Sequence, residues 1–147
     1  MKKTLETGLP WLLSLIIAVL CFYYYPQRIN VEALIEKFPE IGTFTFGFLL
    51  TLFGLIHQGS STVIDNFKRQ SGLYNRFVHL NRNSVYASLV LTLYAYIANN
   101  IINLNEGATI ENKVVVALFA GGLIYFMITA IYFLIVFYKL VEIDSLK

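Results

Sequence analysis

Residues 41–56 read IGTFTFGFLLTLFGLI and residues 84–104 read SVYASLVLTLYAYIANNIINL, with no Asp, Glu, Lys or Arg in either run. Each run carries polar or small residues at helical spacing. At about 100° per residue, Thr43, Gly47, Thr51, Gly54, Gln58, Ser61 and Asp65 fall within roughly a third of a turn of one another. Ser84, Ser88, Thr92, Ala95, Asn99 and Asn103 do the same on the second run. The pattern predicts a helical hairpin whose two polar stripes face each other, with Gly47 and Gly54 letting the backbones approach closely. Such a seam is either a packing device or one wall of a water-filled path.

The rest of the chain extends this reading. Of 147 residues, 57% are hydrophobic and 14% charged, against about 25% charged in an ordinary soluble domain. A bilayer core about 30 Å thick takes roughly 20 helical residues to cross. Uncharged apolar runs support helices over about 9–25, 41–64, 83–104 and 114–138, with an amphipathic cytoplasmic segment at about 60–82. The expected fold is an all-α integral membrane four-helix bundle, a single transmembrane domain spanning 1–147. It leaves no separate soluble domain, so a catalytic or sensing domain would come from another chain.

The first run begins after Lys2 and Lys3 and ends in FYYYP. No small-x-small cleavage site follows it, so it reads as a retained helix with aromatic anchors rather than a signal peptide. Ser14, Ala18 and Cys21 form its small face. In the first loop, Asn30 caps a short amphipathic helix, VEALIEKF, which Pro39 is expected to end and which would lie on the membrane surface. The Asn103–Lys113 turn supplies Thr109 as a cap for the last helix, which contains the Gly121-Gly122 pair.

Charge sets the orientation. Lys2, Lys3, Lys68, Arg69, Arg76, Arg82, Lys139 and Lys147 lie on one side of the expected topology, and only Arg28, Lys37 and Lys113 on the other. The positive-inside rule then places both termini in the cytoplasm and the chain, multi-pass, in a bacterial inner membrane. Lys68, Arg69, Arg76 and Arg82, interleaved with Phe67, Tyr74 and Phe77, suit contact with anionic lipid or with a cytoplasmic partner.

Several function classes fit poorly. The single Cys21 excludes an internal disulfide and quinone-linked disulfide chemistry. A net charge of +2 does not suggest direct nucleic-acid binding. No Asp, Glu, Lys or Arg lies within the four cores, which counts against a proton-coupled small exporter. His57 and Asp65, eight apart, make a weak metal pair without a carboxylate or cysteine cluster. The expectation is a non-enzyme with no cofactor or metal.

The layout resembles the RexB-like four-helix membrane proteins of phage-exclusion systems. The resemblance rests on a modest first outer loop, a second helix opening on Gly42-Thr43, a basic loop with Gly72-Leu73-Tyr74, a short second outer loop and the tail FYKLVE at 137–142. It is also similar to the Kiwa-type membrane subunit. The resemblance covers nearly the whole chain and carries over no individual residue. It implies a homo-oligomeric membrane component of an anti-phage or abortive-infection system, forming or gating an ion channel, with a soluble defence partner in the cytoplasm. The alternative reading is a non-conducting scaffold that anchors or regulates such a partner.

Overall fold

The computed structural model describes residues 2–24, 31–58, 69, 71–101 and 109–145. They form four helices: α1 (Lys2–Tyr24), α2 (Val31–Gln58), α3 (Ser71–Ile101) and α4 (Ile110–Ser145). There is no strand among the described residues. The main packing runs α1 on α4, α4 on α3 and α3 on α2, while α2 touches α4 over a much shorter stretch. The result is a four-helix bundle in which α1 rides on the outer side of α4.

All four helices are longer than the apolar runs alone indicate. The expected surface helix ended by Pro39 is instead the beginning of α2, which runs through Pro39 without a break. A proline inside a helix costs about 3 kcal/mol through its missing N–H and the clash with the preceding turn. Burial of the residues before it offsets that cost: Ile35 is fully buried and Phe38 nearly so. The Phe38 ring meets Phe119 edge-on at 5.4 Å and Phe126 at 6.5 Å, a geometry worth about 0.5–1.5 kcal/mol per pair beyond area burial.

Residues 71–82 likewise belong to α3 rather than to a separate amphipathic segment. Phe77 is fully buried, its ring tilted against Phe133 at 5.1 Å and Phe137 at 6.4 Å. Residues 60–68 of the expected amphipathic segment lie outside the described residues. At the other end of the bundle, Thr109 caps α4, its hydroxyl accepting the Asn112 N–H at 3.2 Å, an arrangement worth about 1 kcal/mol. Glu111 in the first turn complements the helix dipole.

The small face of α1 meets the glycines of α4. Ser14 donates its hydroxyl to the Gly121 carbonyl at 2.8 Å. A Cβ on Gly121 would lie 3.1 Å from both the Ala18 Cβ and the Ser14 carbonyl oxygen, so the two helices pack backbone to backbone there. Cys21, one turn on, is a half-buried free thiol.

Among the described residues, one helix is long and apolar enough to cross a membrane by itself, Ile110–Lys139 of α4, and Gly8–Tyr24 is a shorter apolar helix. Of the remaining helices, α3 is markedly more polar along its length. Its Ser, Thr, Asn and Tyr residues lower the mean hydropathy of a helix whose outward face still carries Val90, Leu93 and Ile97, all exposed.

Candidate functional site: a buried polar line and a lateral groove

From Asn81 onward α3 carries a buried line of small and polar residues, of which Asn81, Ser88 and Thr92 meet α2. Asn81, Ser84, Ser88, Ala95 and Ala98 are buried, and Thr92 between them is half-buried. Asn81 donates its side-chain N–H to the Leu49 carbonyl at 3.3 Å, and Ser88 its hydroxyl to the Gly42 carbonyl at 3.1 Å. These pairings set α2 and α3 antiparallel. Thr92 bonds back to the Ser88 carbonyl at 2.7 Å. Ser84 Oγ and Asn81 Oδ1 are buried with no hydrogen-bond partner among the described residues. Each such atom costs on the order of 1–3 kcal/mol in desolvation.

Gly42 is what makes the line fit. A Cβ there would collide with Thr92 Oγ1 and lie 3.0 Å from Phe38 Cε1 and 3.2 Å from Thr92 Cβ. The α2 face that packs inward is therefore Ile35, Phe38, Gly42 and Leu49, all buried.

That face is not the expected one. Thr43, Gly47 and Thr51 are exposed and Gly54 is only half-buried. Nothing lies within 4 Å of where a Cβ on Gly47 or Gly54 would sit. At 100° per residue the two faces of α2 are about 145° apart, so its polar stripe points away from α3. The threonines can face outward because each satisfies itself on its own helix. Thr43 donates to the Pro39 carbonyl at 2.7 Å, Thr45 to Ile41 at 2.8 Å and Thr51 to Gly47 at 2.8 Å. A hydroxyl bonded four residues back needs no partner helix.

Of the second expected stripe, the structure brings Ser88 and Thr92 against α2 and buries Ser84. Asn99 is exposed at the far end, and Asn103 lies outside the described residues. Asn100, off the stripe, is exposed and bonds back to the Tyr96 carbonyl at 2.7 Å. Gly42, Leu49 and Asn81 were not among the expected site residues. Their signal was the spacing 35, 38, 42 and 49, hidden once Pro39 was read as a helix end.

The cationic positions are dispersed. Arg69 and Arg82 are exposed and Arg76 is half-buried. Arg82 Nη2 lies 3.5 Å from His79 Nε2. Lys68, Asp65 and the His57 side chain lie outside what the structure describes. No group of three His, Cys, Asp or Glu side chains gathers among the described residues.

Because α1 sits on the flank of α4, it leaves a groove between itself and α3. This groove, about 660 Å³, has walls of Trp11 and Leu15 from α1 and Tyr86 and Val90 from α3 over a floor of Gly121 and Gly122. The glycines make the floor low. Trp11 rests on Tyr125 of α4 with ring centroids 4.9 Å apart. Asn83 lines one end and Tyr94 the other, and the Tyr94 hydroxyl is taken up by the Val115 carbonyl at 3.1 Å. No family model, curated protein or solved structure matches this chain.

Proposed function

We propose that the chain is a multi-pass membrane protein in which all four helices cross the bilayer, both termini are cytoplasmic, and α2 and α3 form a closed packing hairpin. One observation carries this reading: all four helices carry large exposed apolar side chains, while several polar side chains lie within a largely apolar core. Asn81, Ser84, Ser88, Asn112 and Thr129 are buried. The exterior carries Trp11, Leu15 and Val19 on α1, Phe44 and Phe48 on α2, Leu93 and Ile97 on α3, and Leu118, Ile131 and Leu134 on α4. In water, contiguous apolar patches rarely exceed a few hundred Å². Against hydrocarbon the same exterior costs nothing, and small or polar residues inside hold the helices together.

The role that fits best is the membrane component of an anti-phage or abortive-infection system that anchors or regulates a soluble partner. The defence setting rests on the layout resemblance. The scaffold mode is favoured because Ser84 and Ser88 are fully buried, Ser88 bonded to the Gly42 carbonyl of α2, and so provide no open path within one chain. A second reading, ion permeation by an oligomer, draws on the outward Thr43, Gly47 and Thr51 of α2, which several copies together would present to a shared axis.

The first test is insertion and topology. In a Cys21→Ser background, single cysteines at Lys147, Arg69 and Gly107 are labelled with an impermeant maleimide in intact and broken spheroplasts. Resistance to carbonate extraction is expected, with Gly107 labelled from outside and the other two only after lysis. A carbonate-soluble chain overturns the membrane reading. The second test challenges cells expressing the chain, alone and with its neighbouring genes, with phage while membrane potential is recorded. Protection without depolarisation supports the scaffold, and depolarisation abolished by Thr43→Val/Thr51→Val supports the oligomeric path.

A further inference from the structure

We infer that the groove between α1 and α3 is a binding site for one acyl chain of an anionic phospholipid from the cytoplasmic leaflet, its headgroup held at the Arg82 end. This rests on the multi-pass reading above. The observations behind it are size, length and charge.

The volume of about 660 Å³ falls within the range of about 300–1,000 Å³ usual for small-molecule sites. From Asn83 to Tyr94 the groove follows eleven residues of α3, about 16 Å at 1.5 Å per residue. Half of a bilayer core about 30 Å thick is nearly the same depth, so the groove is one leaflet deep. Its lining is apolar along the middle, through Leu15, Val90 and Leu118, over the low glycine floor.

The two ends differ in chemistry. At the inner end, Tyr94 has already spent its hydroxyl on Val115, leaving an apolar stop. At the other end, Asn83 lines the groove, and α3 continues toward the cytoplasm on the same face. His79 lies one turn before Asn83 and Arg82 one turn before Tyr86, both exposed. They sit 3.5 Å apart, and Arg82 is one of the positive-inside residues. A phosphodiester anchored there places its chain along the groove, whereas a neutral amphiphile has no use for that charge. A cation at the bilayer surface contributes about a fivefold preference for anionic lipid.

Trp11 is the single tryptophan of the chain and stands in the groove wall, so it reports directly on the occupant. The full chain is reconstituted in vesicles of three parts phosphatidylcholine to one part phosphatidylglycerol, with bromines mid-chain on one lipid or the other. The expected result is that brominated phosphatidylglycerol quenches Trp11 about fivefold more per mole than brominated phosphatidylcholine. Arg82→Gln, at an exposed position, should abolish the preference with helicity and elution volume unchanged. Ala87→Phe, filling the groove, should reduce quenching by the anionic lipid. Equal quenching per mole by the two lipids overturns the inference. So does quenching by neither in a chain that resists carbonate extraction, which means that protein covers the groove. A chain that carbonate extracts has failed the multi-pass reading, and the inference falls with it.

Discussion

Two glycines one turn and a residue apart on α2 should respond to the same substitution with opposite sign. Alanine gains about 1 kcal/mol over glycine in a helix interior through propensity alone. At Gly47 nothing stands within 4 Å of the new Cβ, so Gly47→Ala should be neutral or stabilising by up to about 1 kcal/mol. At Gly42 the Cβ meets Thr92 Oγ1 directly and comes within 3.2 Å of Thr92 Cβ and 3.0 Å of Phe38 Cε1. Overpacking of this kind costs about 1–3 kcal/mol, occasionally more. The net for Gly42→Ala is a loss of up to about 2 kcal/mol, with further weakening of the Ser88 bond to the Gly42 carbonyl as α2 is pushed away. Thr92→Ala removes the closest clashing atom, so the double variant Gly42→Ala/Thr92→Ala should recover at least half of the loss. The coupling of the pair then appears in a double-mutant cycle. Unfolding free energies by steric trapping in lipid bicelles measure all four species. If Gly42→Ala is as harmless as Gly47→Ala, or if Thr92→Ala does not rescue it, α2 does not present this face to α3. The stripe of Thr43, Gly47 and Thr51 would then have to be reconsidered as the inner one.

The hydroxyls of α3 should also divide. Ser88→Ala loses a bond across helices and should cost about 0.6 kcal/mol, the average for such bonds in membrane proteins. Ser84→Ala should be neutral or stabilising, because Ser84 Oγ is buried without a partner among the described residues and its removal relieves a desolvation penalty; a larger loss at Ser84 than at Ser88 in the same unfolding assay would refute this. Phe77→Ala should cost about 3–5 kcal/mol, since the ring is fully buried between α3 and α4. Tyr86→Ala at an exposed position should stay within about 0.5 kcal/mol in the thermal or bicelle assay. Thr51→Val should leave both stability and elution volume unchanged if one chain is the unit. A shift in oligomer distribution at this outward position would instead show that copies meet along α2.

The helical class and the number of helices were legible in the sequence because charge-free apolar runs, broken by Asn, Gly and charged turns, dictate both without reference to neighbours. The charge asymmetry that underlies the topology proposal is equally a one-dimensional property. Local chemistry was legible too: Thr109 at the start of α4 and the small residues Ser14 and Ala18 on α1 act through their own few atoms. What the sequence could not decide was which face of α2 turns inward. Its polar stripe suggested one face, yet a threonine in a helix can bond its own backbone four residues back, so polarity there carries no obligation to pack. Helix ends were hidden for a related reason. Pro39 reads as a stop by its local cost, and only the burial of Ile35 and Phe38 against α4 outweighs it. Residues 71–82 read as a surface segment until Phe77 finds Phe133 and Phe137. The groove is wholly a tertiary product, since it exists because α1 docks on Gly121 of α4 while α3 packs over the neighbouring Gly122. Contacts between residues more than a hundred positions apart, such as Ser14 with Gly121, have no signature in local spacing, and packing alone decided them.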